Sequence, residues 1–269
     1  MIEQPGGART HPGGLLETRP ALALGESGRQ RLWLLASLAV FFGAWELAGR
    51  WPVSPAFPPA SETALALLRM ARSGSLLRAY ADTLQPLLLG VGLSAAAGIG
   101  FGVAMGLSRT VEWLALPVVV VLQSAPMAAI IPLITYVYGI GLTAKVLAVV
   151  ILAVPVIAMN SYKGIRNTNP SLLEMCRAFL GTRRQEILKI VLPHAGALIF
   201  AGLRLGVAMG FIGVVIAELL ITPTGVGDLI TYHSSVADYP KMFATIASIV
   251  AVAALSLHAL ERLERRLLP

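Results

Sequence analysis

The chain has 269 residues, 56% of them hydrophobic and 13% charged, with a mean hydropathy of +0.76. Soluble domains carry roughly 25% charged residues, so the composition excludes an ordinary soluble domain and points to an all-α polytopic membrane protein. The net charge of +7 is explained better by membrane topology than by nucleic-acid binding.

Residues 1–30, rich in Gly, Pro and Arg, read as a disordered cytoplasmic tail, followed by an uncleaved first span. Six stretches approach the roughly 20 apolar residues that a hydrocarbon core demands: Leu32–Ala48, Leu84–Leu107, Trp113–Tyr138, Ala144–Met159, Ala195–Leu220 and Met242–Leu260. Between the first two, Ser61–Arg72 has the pattern of an amphipathic helix lying along an interface, with Leu65, Leu68 and Met70 among its apolar positions. The third span is interrupted by Pro117, Pro126 and Pro132, so kinks are expected there, tolerable where neighbouring helices satisfy the freed carbonyls.

Glycines recur every four residues in the second span (Gly98, Gly102, Gly106) and in the fifth (Gly202, Gly206, Gly210). Such smooth faces suit close helix packing in lipid, the simpler reading beside a direct role toward a solute. Three charges fall inside spans: Glu46, Arg204 and Glu218. Snorkelling to an interface is the plain expectation for each, with Glu218 the best functional candidate. Asp228, beyond it in the loop holding Gly225-Val226-Gly227, reads as a solvated turn residue.

Between the fourth and fifth spans the chain turns polar. Asn169 can cap and Pro170 open a short helix, Gly181 can end it with a left-handed turn, Thr182 and Gln185 have capping-box spacing, and Pro193 closes a second helix. A helix pair between membrane spans must project into water, shaped for docking rather than catalysis. With a cytoplasmic amino terminus, fourteen Lys and Arg residues fall inside and six outside, Lys145 counted among the six; this bias fits the positive-inside rule with both termini cytoplasmic.

Cys176 is the single cysteine, so no internal disulfide forms, and the histidines at 11, 194, 233 and 258 are too dispersed for a zinc site. An intramembrane enzyme would need a nucleophile with its base at membrane depth, yet Ser94 and Ser124 have no histidine in a matching span. The sequence has no phosphate loop, nor any Gly-Lys pair. The chain therefore binds no ATP by that device, and energy for transport must come through a partner; an autonomous channel or secondary transporter is the alternative.

Glu174, then Gly181, Ile190, Leu192 and Pro193 stand at spacings that resemble the EAA motif of binding-protein-dependent ABC importer permeases; the chain departs from the motif's two alanines at Met175 and Cys176. Further stretches resemble the branch importing nitrate, sulfonates, taurine or bicarbonate: Trp45-Glu46-Leu47-Ala48, Gly106-Leu107-Ser108-Arg109, Tyr138-Gly139-Ile140-Gly141 with Lys145, and Ala217-Glu218 followed by Gly225-Val226-Gly227. Relatives in that branch also carry thiamine-precursor pyrimidines and aromatic carboxylates.

The resemblance implies a type I importer permease domain over residues 31–269, with a cytoplasmic coupling loop at 160–193, in a bacterial cytoplasmic (inner) membrane. It implies a second copy of the chain, two ABC ATPase subunits holding ATP and magnesium, and a periplasmic or lipid-anchored substrate-binding protein. The chain itself would hold no cofactor or metal. Glu174, Met175, Cys176, Arg177, Phe179, Gly181, Ile190 and Pro193 would form the ATPase-docking segment, with Leu172, Cys176 and Phe179 on the inserting face. Ser124, Met127, Tyr136, Asn160 and Glu218 are the candidate pathway lining.

Overall fold

A computed structural model describes residues 26–51, 54 and 56–267. It consists of helices α1 (Glu26–Arg50), α2 (Ala60–Arg72), α3 (Ser75–Leu107), α4 (Arg109–Ser124), α5 (Met127–Tyr138), α6 (Leu142–Arg166), α7 (Pro170–Ala178), α8 (Arg183–Glu186), a π-helical stretch Ile187–Val191, α9 (Leu192–Leu220), α10 (Val226–Ser235) and α11 (Tyr239–Leu267). Among the described residues five helices are long and apolar enough to cross a membrane, or six if the bent pair α4–α5 is one span. The expected tail 1–30 lies mostly outside the described residues; α1 begins within it, at Glu26.

The chain divides into two units after Trp45. In the first, residues 26–45 are helical, with exposed Trp33, Leu35 and Phe41 and an aromatic ladder of Phe41, Phe42 and Trp45. A helix apolar and exposed all round suits lipid contact.

In the second unit, α6 is the central helix, packed between α3 and α9. The glycines explain how. A Cβ at Gly98 would sit 2.7 Å from the Ile157 side chain, and one at Gly102 would strike the Ala158 carbonyl. On the other flank, a Cβ at Gly202 would lie 2.7 Å from Asn160 Cβ and one at Gly206 2.5 Å from Ile157. Both glycine rows are thus grooves into which α6 side chains fit, the close backbone approach that substitutes for hydrophobic driving force in lipid.

Two expectations need correction. The stretch Trp113–Tyr138 is bent far more sharply than a proline kink: α4 and α5 meet at 104°, as a broken span or a re-entrant pair. Ala125 and Pro126 are extended there; a residue before proline avoids the α region, and Pro126 has no N–H to continue the ladder. The span charges, expected to snorkel, are also paired within the protein. Glu46 accepts hydrogen bonds from Ser61 N–H (2.9 Å) and Oγ (2.8 Å), satisfying the first turn of α2, and pairs with Arg50. Arg204 pairs with Glu264 of α11 at 2.9 Å. In lipid a partner within the protein is worth more to a charge than a partial route to water.

Candidate functional site

The polar loop that follows α6 is built by local chemistry. Asn169 accepts a hydrogen bond from Ser171 N–H at 3.0 Å, and Pro170 occupies the first position of α7. Thr182 and Gln185 bond reciprocally, Thr182 N–H to Gln185 Oε1 at 2.8 Å and Gln185 N–H to Thr182 Oγ1 at 3.3 Å, the capping box that opens α8. Arg177 reaches Glu186 across the turn at 3.4 Å.

The turn between the helices differs from the sequence reading. The left-handed residue is Leu180, with φ of +55°, not Gly181. Leu180 N–H bonds the Arg177 carbonyl at 3.0 Å and Gly181 N–H the Cys176 carbonyl at 2.8 Å, which is the Schellman pattern with leucine where glycine is usual. Gly181 is required for space instead: a Cβ there would lie 2.5 Å from Cys176 Sγ and 2.8 Å from its carbonyl oxygen. The turn leaves Phe179 82% and Leu180 91% exposed. Leu180 is thus held in a conformation disfavoured for a branched side chain while lying in the open.

The face expected to insert is unevenly exposed, Phe179 being open and the other two partly covered. Leu172 and Cys176 are half-buried, and Leu173 packs on the cluster of Ile165, Val191 and Ala195. Glu174, Met175, Arg177 and Ala178 are exposed and continue into Phe179 and Leu180. Pro193 does not close a second helix. Ile190 and Pro193 lie where α8 runs through the π stretch into α9, and Leu192 N–H bonds the Ile187 carbonyl five residues back. The wider turn accommodates a proline that has no N–H and whose ring would clash with the carbonyl four residues earlier.

The suggested pathway residues are carried by α4, α5, α6 and α9. Ser124, exposed at the end of α4, bonds its own helix at Val121. Tyr136 on α5 is 90% exposed; the Met127 side chain lies outside the described residues. Asn160 donates to Val156 O at 2.8 Å within α6 and packs on Gly202.

Glu218 is 2% exposed and pairs at 2.8 Å with Lys145, which is 4% exposed in the first turn of α6 rather than in an outside loop. Thr83 of α3 donates to Glu218 at 2.9 Å, as does Gly227 N–H at 3.0 Å, while Val226 N–H donates to Thr83 Oγ1 at 3.0 Å. Lys145 Nζ also donates to the carbonyl and hydroxyl of Thr224, both at 3.1 Å. Nothing in the sequence singled out Thr83 or Thr224; the charge of Glu218 within a span and the motif resemblance at Lys145, Glu218 and Gly225-Val226-Gly227 pointed here. Asp228 is half-buried in the first turn of α10, where a carboxylate suits the helix dipole.

Nearby, at the α10–α11 junction, Asp238 pairs with Lys241 at 2.6 Å, and this hydrogen bond holds its carboxyl below the usual range. Burial pushes the His233 imidazole below its usual value, with a smaller opposing pull from Asp238.

Among the described residues the chain is a helical bundle of membrane-spanning length with a polar helix pair between two of its spans, the build of a multi-pass membrane protein. Residues 96–269, more than half of the chain, match the family model described as "Binding-protein-dependent transport system inner membrane component". The chain belongs to that family: it is an ABC importer permease, a non-catalytic transmembrane subunit whose ATPase is a separate chain. It is 29% identical over 248 residues to the taurine transport system permease protein TauC of Escherichia coli K12, covering 90% of each chain. It is 29% identical over 261 residues to the putative aliphatic sulfonates transport permease protein SsuC of Bacillus subtilis 168, covering 95% of each. Among solved structures, an inward-facing MetNI methionine ABC transporter matches with a TM-score of 0.59 at 21% identity, over 71% of this chain and 95% of that one.

Proposed function

We propose that the chain forms the translocation pathway of an ATP-driven importer for a small organic or inorganic anion of the taurine, sulfonate or nitrate class, driven through the α7–α8 loop. The single observation that carries the coupling is the strained, exposed Phe179-Leu180 tip beside Glu174, Met175 and Ala178. An apolar tip flanked by a carboxylate and by Arg177, Arg183 and Arg184 fits a groove on a soluble partner. Two ABC ATPase subunits dock there, a second copy of the chain completes the pathway, and a substrate-binding protein delivers the solute at the far face. Closure of the ATPases on ATP moves the docked loops as levers and switches the pathway between outward-facing and inward-facing states.

The anion class rests on TauC and SsuC, each similar over nine-tenths or more of its length. The loop lies inside with both termini in the cytoplasm, as expected of an inner-membrane protein; its cations support that orientation. ATP and magnesium reside on the partner.

The test is purification of the tagged chain from its native host in mild detergent, with Glu174→Ala and Leu180→Asp alongside. A phosphate-loop ATPase recovered with the natural chain and lost with both folded variants supports the docking site. A folded natural chain that retains no ATPase contradicts it.

A further inference from the structure

Lys145 has three N–H donors, and three acceptors meet them: Glu218 Oε1 and the two oxygens of Thr224. Glu218 in turn accepts from Lys145, Thr83 and Gly227 N–H. With both side chains almost wholly buried and the three Lys145 N–H groups all engaged, the pair offers no free donor to a passing anion. Four pieces of chain meet here: α3 through Thr83, α6 through Lys145, α9 through Glu218, and the turn Thr224–Gly227 leading into α10. The two glycines of that turn permit the approach. A Cβ at Gly225 would overlap the Glu218 carboxylate, and one at Gly227 would lie 2.5 Å from Glu218 Cβ.

Next to this knot the construction changes. Gly139 and Gly141, between α5 and α6, have φ of +79° and +151°, and a Cβ at either would meet nothing within 4 Å. They supply backbone conformation, not room. With the break at Ala125 and Pro126, they give α5 a joint at each end, while its contact with the block is apolar, Ile131 packing on Ala148 of α6 and Ala217 of α9.

We propose, resting on the permease reading, that Thr83, Lys145 and Glu218 are positioning residues for transport. They hold the ends of α3, α6 and α9 and the turn into α10 as one block that stays closed throughout the cycle, while α5 moves between its joints. Opening the knot would leave two buried charges unpaired at once, whereas moving α5 about its joints shifts the apolar contact of Ile131 with Ala148 and Ala217 and, among the described side chains, breaks no hydrogen bond to α6 or α9. Glu218 thus acts on the pathway through the block it fixes rather than by lining it.

The amides of Val226 and Gly227 report this directly. They lie in the first turn of α10, where amides lack intrahelical partners and exchange fast unless something else holds them; here Thr83 and Glu218 do. Hydrogen exchange is followed on the natural chain in complex with its ATPase, resting and trapped with ATP and vanadate. Slow exchange at 226–227 in both states, with a change across residues 127–138, is the expected result; exchange at 226–227 faster by roughly tenfold in either state overturns it. The double variant Lys145→Met/Glu218→Gln, which removes both charges, is reconstituted with the ATPase and the binding protein of the same transporter, with taurine as probe. Taurine moved per ATP hydrolysed is expected to fall roughly tenfold, and an unchanged ratio overturns the positioning role. If the double variant does not assemble, the exchange comparison on the natural chain still decides. If the natural complex moves no solute on ATP, the permease reading itself fails.

Discussion

Leu180 takes the left-handed conformation expected of Gly181, and the consequence is measurable. A leucine in the left-handed region costs about 1–2 kcal/mol, and its side chain makes no compensating contact at 91% exposure. Leu180→Gly is therefore expected to raise the melting temperature of the isolated chain while weakening retention of the ATPase; a melting temperature unchanged or lowered would remove the case for strain. Gly181→Ala should do harm in both respects, because its Cβ meets Cys176. The buried pair is the opposite kind of residue-scale feature. Replacing Glu218 by alanine leaves the buried Lys145 charge without its counter-ion, held only by the two oxygens of Thr224, a loss of about 3–5 kcal/mol where one partner of a buried pair is removed. Size-exclusion profiles of Glu218→Ala should show aggregation, and Lys145→Met/Glu218→Gln should recover a monodisperse peak.

At the scale of elements, the α3–α6–α9 sandwich depends on glycine rows, so a branched residue in a row should separate the helices it joins. Gly102→Val places atoms against the Ala158 carbonyl and Ser161; overpacking of this kind costs about 1–3 kcal/mol and should appear as a lower detergent melting temperature. Gly100→Val, where a Cβ meets nothing, is the neutral control. The α10–α11 junction carries a pH dependence. His233 is buried and its imidazole titrates below the ordinary value of 6.5, so an unfolded α10 takes up a proton that the folded one refuses. Stability from this group is present above that value and declines as pH falls beneath it. Asp238 is shifted the same way by Lys241, and its contribution is lost only in stronger acid. Exchange across α10 should speed up on acidification below about 6.5, beyond the intrinsic pH effect, and His233→Gln should abolish that first increment.

For the whole molecule, hydropathy made the spanning helices legible because lipid imposes length and apolarity on each segment separately. The loop was legible for a similar reason: Asn169, Pro170, Thr182 and Gln185 act within a few residues of themselves. What escaped is long-range. Lys145 and Glu218 are 73 positions apart and looked like a loop cation and a snorkelling acid until the fold joined them. The break in the third span depended on Pro126 ending one helix, whereas Pro132, with the same chemistry, lies inside α5. Leu180 escaped because glycine is the ordinary occupant of its conformation. The family, by contrast, was legible in short motifs, and TauC and SsuC bear the same relation along nine-tenths of the chain or more.

The most direct measurement is ATP-dependent uptake of taurine into proteoliposomes that contain the chain and its ATPase, with the binding protein supplied on the opposite side from the nucleotide. Uptake that requires ATP and is lost when Phe179 and Leu180 are both replaced by serine is the expected result. Uptake that proceeds without ATP, or that survives those replacements undiminished, would contradict coupling through the α7–α8 loop.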